Sequence, residues 1–419
     1  MNRLLTILTT LSALLGAAPF IRPRALAGKL LIWLPKLLGG ALWPVTGPIG
    51  ALANLVGLAR RNWTLAGAGL LGAGLAARLA ADLPDVDHEL AGLPGSSGKR
   101  PALSTQRPLV SALLSGHTGD AGFERDLALG HNPESGQALR ADLWPPSDQP
   151  SGLGLIYAHG SGWRVGDKDI GTRPFFRRLV AQGHLVLDVA YSLWPSANLP
   201  AMVAEVNQAI LWLKDNGPAY GVDPDRVVLM GGSAGAHLAL LAAYTPGHHA
   251  FRPAGAVGDT NVHGVVAFYP PVDLLTHQDE LGDRPPSSPG LAERITQAIL
   301  NRLFRVQDES GRQSQSFDLL TEMLGGTAAE TPDTYRLLSP IYHVGAHCPP
   351  TLLLQGSDDV FGLAPAVRRL HECLRAAGVP SVLLEFPHTD HAFDLILPHI
   401  SPTARAATRA VEQFLAWLE

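Results

Sequence analysis

A chain of 419 residues can hold one large α/β domain with an extension, or two ordinary domains. Its net charge of −5, from 32 basic and 37 acidic residues with no long basic run in the polar part, argues against nucleic acid as a partner. The two cysteines, Cys348 and Cys373, give neither a disulfide framework nor C-x-x-C spacing, and the sixteen histidines show no H-E-x-x-H pattern, so no metal is expected. Cys373 is expected as a small buried hydrophobe.

The mean hydropathy of +0.11 is high, and the excess sits at the N-terminus. Residues 1–81 carry no carboxylate; the first is Asp82. Three stretches there are candidate membrane spans: 4–21, 37–59 and 63–81. A span needs about 20 apolar residues, which the first two supply most clearly. Trp33, Trp43 and Trp63 are candidate interfacial anchors. The competing reading is a signal peptide with Ala25-Leu26-Ala27 as its cleavage site. Two apolar stretches would survive that cleavage, so an integral N-terminal anchor is the preferred expectation. Arg22, Arg24, Lys29 and Lys36 are read as one loop, and Arg60 and Arg61 as the next. Positive charge in consecutive loops gives the anchor no orientation.

Residues 82–120 are rich in Pro, Gly and Ser and read as a linker. From residue 121 to 419 strands and helices alternate. Strands are expected at Ala138–Leu143, Gly152–Ala158, His184–Ala190, Val227–Met230, His263–Phe268, Thr351–Gln355 and Ser381–Phe386. Helices are expected at Thr172–Gln182, Pro200–Asn216, after Gly235, Leu363–Ala377 and from Pro402. This alternation implies a mostly parallel sheet with helices on both faces. Residues 274–338 break the rhythm; they contain one amphipathic segment, Leu291–Phe304. A core-packed helix and a cap over the active site are both open readings of it.

The chemistry centres on Gly231-Gly232-Ser233-Ala234-Gly235, a G-x-S-x-G pattern between a strand and an Ala/Leu-rich helix. Such a turn lifts a serine hydroxyl out of the sheet. A serine needs a base within reach, and the base needs an acid to fix its tautomer. Gly356-Ser-Asp-Asp359 follows a strand and offers Asp359, with Asp358 as the alternative. His391, in Phe386-Pro-His-Thr-Asp-His-Ala-Phe393, follows the last strand and offers the base, with His388 as its competitor. An oxyanion needs backbone N–H donors, expected from Ala234 and from Ser161 and Gly162 of His159-Gly-Ser-Gly-Trp163; Gly160 stays open. Ser161 stands where an HGGG-type loop has glycine, which suits a donor whose φ is not positive. His159 is expected to shape that loop, and His237 to pack.

These motifs resemble α/β-hydrolase-fold esterases of the hormone-sensitive-lipase-like and prenylcysteine-methylesterase-like group. The matching segments are Tyr157–Lys168, Leu187–Ser192, Asp223–Arg226, Gly231–Leu238, Tyr269–Asp273, Gly356–Asp359 and His391–Phe393. The likeness covers about residues 150–395 and has no counterpart for residues 1–120. It implies hydrolysis of a carboxylic ester through an acyl-enzyme, without a cofactor. Amide or formamide hydrolysis, or cleavage of a prenylcysteine methyl ester, would use the same machinery. A non-catalytic receptor on this fold is the reading from another class. A membrane anchor favours a small, lipophilic ester substrate met at the lipid surface.

Overall fold

The computed structural model describes residues 2–23, 26–95, 122–131, 138–147, 149–253, 255–276 and 319–419. Its N-terminal part is helical: α1 (Asn2–Ala17), α2 (Leu26–Ala59) and α3 (Trp63–Ala81) pack together. The expected span 37–59 is the later part of one longer helix. Lys29 and Lys36, read from sequence as loop residues, therefore lie on α2. Leu and Ile run through the segment and favour helix, so the charges did not end it. Pro35, Pro44 and Pro48 each remove a backbone donor, yet α2 continues through them.

Small residues set the α2–α3 distance. A Cβ on Gly57 would lie 2.4 Å from the Ala66 nitrogen, and one on Gly69 2.5 Å from the Gly50 oxygen. Backbones that close are the signature of small-residue helix packing. Asn62 caps α3 by accepting from the Leu65 N–H at 3.1 Å. The outer face of the bundle is apolar: Leu14, Leu52, Leu55, Trp63 and Leu70 are all exposed.

Part of the expected linker is built into the fold. Residues 82–95 hold a short helix, α4 (Val86–Leu90), capped by Asp85. Val86, Leu90 and Leu93 are buried in the core, and the Trp417 indole donates to the Pro94 carbonyl at 2.8 Å. These apolar residues sit among prolines and glycines, which masked them in sequence. Residues 96–121 of the expected linker lie outside the described residues.

Eight strands form one sheet in the order β1-β2-β4-β3-β5-β6-β7-β8 among the described residues. They are β1 (Glu124–His131), β2 (Ala138–Trp144), β3 (Gly154–Ala158), β4 (Leu185–Ala190), β5 (Val227–Gly232), β6 (Gly264–Phe268), β7 (Thr351–Gly356) and β8 (Ser381–Phe386). From β4 to β8 every pairing is parallel; β1 and β2 join antiparallel. The edge strand β1 was not anticipated, because it reads Glu-Arg-Asp-Leu-Ala-Leu-Gly-His and buries only Leu129.

The central strands are buried on both faces. Ile156 and Ala158 of β3 face one core layer, and Leu155 and Tyr157 the other, by the two-residue period of a strand. The first layer is covered by α6 (Leu199–Asn216), α7 (Ala234–Tyr244) and α10 (Ala364–Ala376). The second is covered by α5 (Arg173–Val180), α4 and α11 (Pro402–Leu418). Trp33 and Leu37 of α2 join this second layer, so the start of α2 docks on the sheet domain.

One expectation changes here. Cys373 is exposed and Cys348 is the buried cysteine, because Val367, Leu370 and Leu374 take the inward stripe of α10. The segment Leu291–Phe304 lies outside the described residues. The described end of the interruption holds α8 (Leu319–Leu324) and α9 (Pro332–Leu337), whose Leu320, Met323 and Tyr335 enter the first core layer.

Candidate active site

The chemistry-bearing loops all leave the carboxyl ends of parallel strands, the edge at which ligands bind in such sheets. Ser233 follows β5 directly, with φ 52° and ψ −120°, while α7 begins at the next residue. A non-glycine residue at positive φ costs on the order of 1–3 kcal/mol and persists only where its surroundings enforce it. Here the enforcement is close packing. A Cβ on Gly235 would lie 2.0 Å from the Ala158 carbonyl oxygen, and one on Gly231 2.5 Å from the Gly235 carbonyl carbon. Only glycine lets β3, β5 and the start of α7 approach this closely. The Ser233 N–H donates to the Phe268 carbonyl at 2.9 Å, which ties the turn to β6.

Ser233 Oγ lies 2.9 Å from His391 Nε2, and His391 Nδ1 lies 2.8 Å from Asp359 Oδ2. The other acid, Asp358, faces away and pairs with Arg22 at 3.1 Å. The competing His388 also faces away; its Nε2 is 3.0 Å from Asp82 Oδ2 and its ring lies against Phe20. Burial alone would raise the Asp359 carboxyl. The His391 ring and its hydrogen bond, with donors from the Phe361 N–H and the Gln355 amide, outweigh it and hold Asp359 below the usual carboxylate range. An ionised Asp359 holds the proton on Nδ1, which leaves Nε2 free to accept from a hydroxyl.

Several groups brace His391. Its ring lies 4.4 Å from Tyr269 and stands edge-on to Phe361 at 4.8 Å. Its N–H donates to Asp390 Oδ1 at 2.8 Å, and its carbonyl accepts from the Trp33 indole at 3.1 Å. Asp390 Oδ1 also accepts the Val360 N–H at 2.7 Å, so it joins the loops after β7 and β8. Asp390 Oδ2 lies 3.0 Å from Lys36 Nζ. The Tyr269 hydroxyl donates to Asp394 at 2.5 Å, and burial pushes the Asp394 carboxyl up to about 6.

The loop His159–Trp163 lies against this turn. A Cβ on Gly160 would be 3.0 Å from the Gly232 carbonyl oxygen and 3.4 Å from Ser233 Cβ. Ser161, Gly162 and Trp163 have φ of 94°, 62° and 57°. The positive φ at Ser161 goes against the condition under which serine suited this position. The loop curls back there, and the Arg164 and Val165 N–H groups donate to the Ser161 carbonyl at 3.4 Å. Ala234 is buried at the N-terminus of α7, and Leu319 of α8 stands over Gly162. His159 is buried and stacked on Tyr191, its Nδ1 is 2.8 Å from the Gly160 carbonyl, and burial lowers it to about 4. It shapes the loop, as expected. His237 packs against Trp163 and its Nε2 donates to the Leu338 carbonyl at 2.7 Å; burial lowers it also to about 4.

Sequence reasoning missed Gln355, Asp390, Lys36 and Trp33. Gln355 and Asp390 stood inside the quoted strand and loop, next to residues that drew the attention. Nothing local in the sequence ties Trp33 and Lys36 to a loop more than 350 positions away. No cluster of three metal-ligating side chains occurs among the described residues.

The BD-FAE family model matches residues 142–364. A probable carboxylic ester hydrolase, LipM of Mycobacterium tuberculosis, is 30% identical over 71% of this chain and 62% of its own length. Esterase LipQ of the same organism is 29% identical over 66% of this chain and 57% of its own. A probable isoprenylcysteine alpha-carbonyl methylesterase of rice, ICMEL1, is 34% identical over 34% of this chain and 31% of its own. This chain spans about three fifths of the length of the mycobacterial relatives it matches. Among solved structures, Thermogutta terrifontis esterase 2 superposes with a TM-score of 0.53 at 20% identity, covering 71% of this chain and 95% of that one.

Proposed function

The chain belongs to the BD-FAE family, within the α/β-hydrolase serine esterases of the hormone-sensitive-lipase-like group, and on that premise we propose that it hydrolyses small carboxylic esters through an acyl-enzyme. The observation that carries this reading is the continuous contact from Ser233 Oγ to His391 Nε2 at 2.9 Å and from His391 Nδ1 to Asp359 Oδ2 at 2.8 Å.

The steps follow from that contact. Ser233 Oγ attacks the ester carbonyl carbon, and its proton passes to His391 Nε2. The imidazolium is stabilised by Asp359, which keeps its negative charge. The carbonyl oxygen becomes an oxyanion, held by the backbone N–H groups of Ser161, Gly162 and Ala234. The C–O bond to the alcohol breaks, and His391 gives its proton to the leaving oxygen. Water then loses a proton to His391, attacks the acyl carbon and releases the acid. Ser233 takes the proton back.

The apolar outer surface of α1–α3 supports a membrane anchor. The apolar stretches Gly28–Ala59, within α2, and Trp63–Leu90, which begins with α3, are long and apolar enough to cross a bilayer by length and composition. An enzyme so placed meets ester substrates dissolved in lipid at high local concentration. In this reading the domain order is anchor (1–81), connecting segment (82–120) and hydrolase domain (121–419).

The test is turnover of p-nitrophenyl esters, from acetate to palmitate, by the full chain in detergent beside Ser233→Ala. A loss of at least about 10³-fold in kcat is expected for the variant. Equal rates would remove Ser233 as nucleophile, and the acyl-chain optimum would size the pocket.

A further inference from the structure

Resting on the reading of Ser233, His391 and Asp359 above, we propose that Trp33 and Lys36 of α2 are positioning residues for His391. The N-terminal helical region is then a working part of the catalytic apparatus as well as an anchor.

The carbonyl of His391 is held from outside its own loop, and its N–H by the neighbouring Asp390, which α2 in turn holds. Its carbonyl accepts from the Trp33 indole at 3.1 Å, and its N–H donates to Asp390 Oδ1 at 2.8 Å. Asp390 is itself fixed by α2, through Lys36 Nζ at 3.0 Å from Oδ2. The same Asp390 Oδ1 accepts the Val360 N–H, one residue past Asp359. A single carboxylate therefore sets the loop of the base against the loop of the acid, and α2 supplies its counter-charge. Lys36 Nζ also donates to the Asp358 carbonyl at 3.4 Å, while Arg22 pairs with the Asp358 carboxylate.

Burial makes this connection strong. Lys36 is 5% exposed and Asp390 2%. A charge in such a place is costly unless paired, so removing Lys36 leaves a carboxylate that must neutralise or move. Either response disturbs the acceptor that orients the His391 N–H. The loop has little reserve of its own, since His388 and Ala392, on either side of His391, hold positive φ of 56° and 62°. A displacement of the histidine by about 1 Å can cost on the order of 10²-fold in rate. If Lys36 served only to fasten α2 to the domain, its loss would lower stability and leave turnover alone.

The experiment uses the full chain in detergent, with Lys36→Met, Lys36→Arg, Trp33→Phe and the double variant Lys36→Met/Asp390→Asn. Lys36→Met is expected to lower kcat by about 10- to 100-fold with KM changed less than about twofold. Lys36→Arg should retain most of the activity. The double variant should return to within about fivefold of the parent, because the amide oxygen of the introduced asparagine can still accept both N–H groups and no charge is left bare. Trp33→Phe keeps an aromatic ring and loses the indole donor, so it should lower kcat several-fold; it reads the same proposal if Lys36→Met does not fold. Unchanged kcat in Lys36→Met and Trp33→Phe, or a loss that the double variant fails to recover, overturns the proposal. Turnover that survives Ser233→Ala would instead overturn the reading of the site on which it rests.

Discussion

Tyr269 and Asp394 form a hydrogen-bonded pair beside the candidate base: the tyrosine hydroxyl donates to the carboxylate at 2.5 Å while the tyrosine ring lies 4.4 Å from His391. Burial raises Asp394 from 3.8 to about 6, against the opposing pull of the Tyr269 hydrogen bond. A carboxyl raised in the folded state favours folding when protonated. Its contribution is complete below about pH 4 and is lost as pH rises through about 6. Asp394→Asn, which stays neutral, should therefore gain stability relative to the parent between pH 4.5 and 7.5. Denaturant melts at those two values check the sign; an identical difference at both would contradict it.

The two adjacent acids separate cleanly. Asp359 Oδ2 meets His391 at 2.8 Å, whereas Asp358 is turned toward Arg22. Asp359→Asn should lower kcat on the order of 10³- to 10⁴-fold by losing the charge that fixes the imidazole tautomer. Asp358→Asn should cost less than about tenfold. Steady-state kinetics on one ester decides this, and a larger loss at Asp358 would exchange their roles.

Gly235 admits no side chain. A Cβ there would sit 2.0 Å from the Ala158 carbonyl oxygen and 2.4 Å from that of His159, both backbone atoms of the neighbouring strand and loop. Gly235→Ala is expected to destabilise by about 3 kcal/mol or more, above the usual range for an added methyl, since backbone cannot swing aside. Urea unfolding measures it; a change below about 1 kcal/mol would mean that β3 and α7 can part without cost.

Ser161 shows the reverse case. It holds φ 94° in a loop whose next residue is glycine. Ser161→Gly should relieve that strain and stabilise the chain by about 1 kcal/mol, net of the entropy that glycine adds to the unfolded state. A lower melting temperature would show that the serine side chain contributes more than its backbone costs.

Much of this was legible in the sequence because it depends on local pattern. The strand β8 and the start of α11 at Pro402 stand where period and turn residues put them. Ser233, Asp359 and His391 meet because each lies on the segment that leaves the carboxyl end of a parallel strand, a placement the strand pattern implies. What escaped was non-local or polar. The edge strand β1 exposes most of its side chains and so carries no hydrophobic alternation. The long α2 was split at Lys36, because a charge between apolar runs reads as a loop until a buried carboxylate is found opposite it. The packing of residues 82–95 on α11 and β8 depends on Val86, Leu90 and Leu93, three apolar residues scattered among turn formers.

The most direct measurement is the site of covalent capture. Full-length protein in detergent is treated with a fluorophosphonate, digested and mapped by mass spectrometry, beside His391→Ala. The account predicts one adduct, on Ser233, formed at least about 10³-fold more slowly in the histidine variant. An adduct on another serine, or labelling of Ser233 at the same rate without His391, would contradict it.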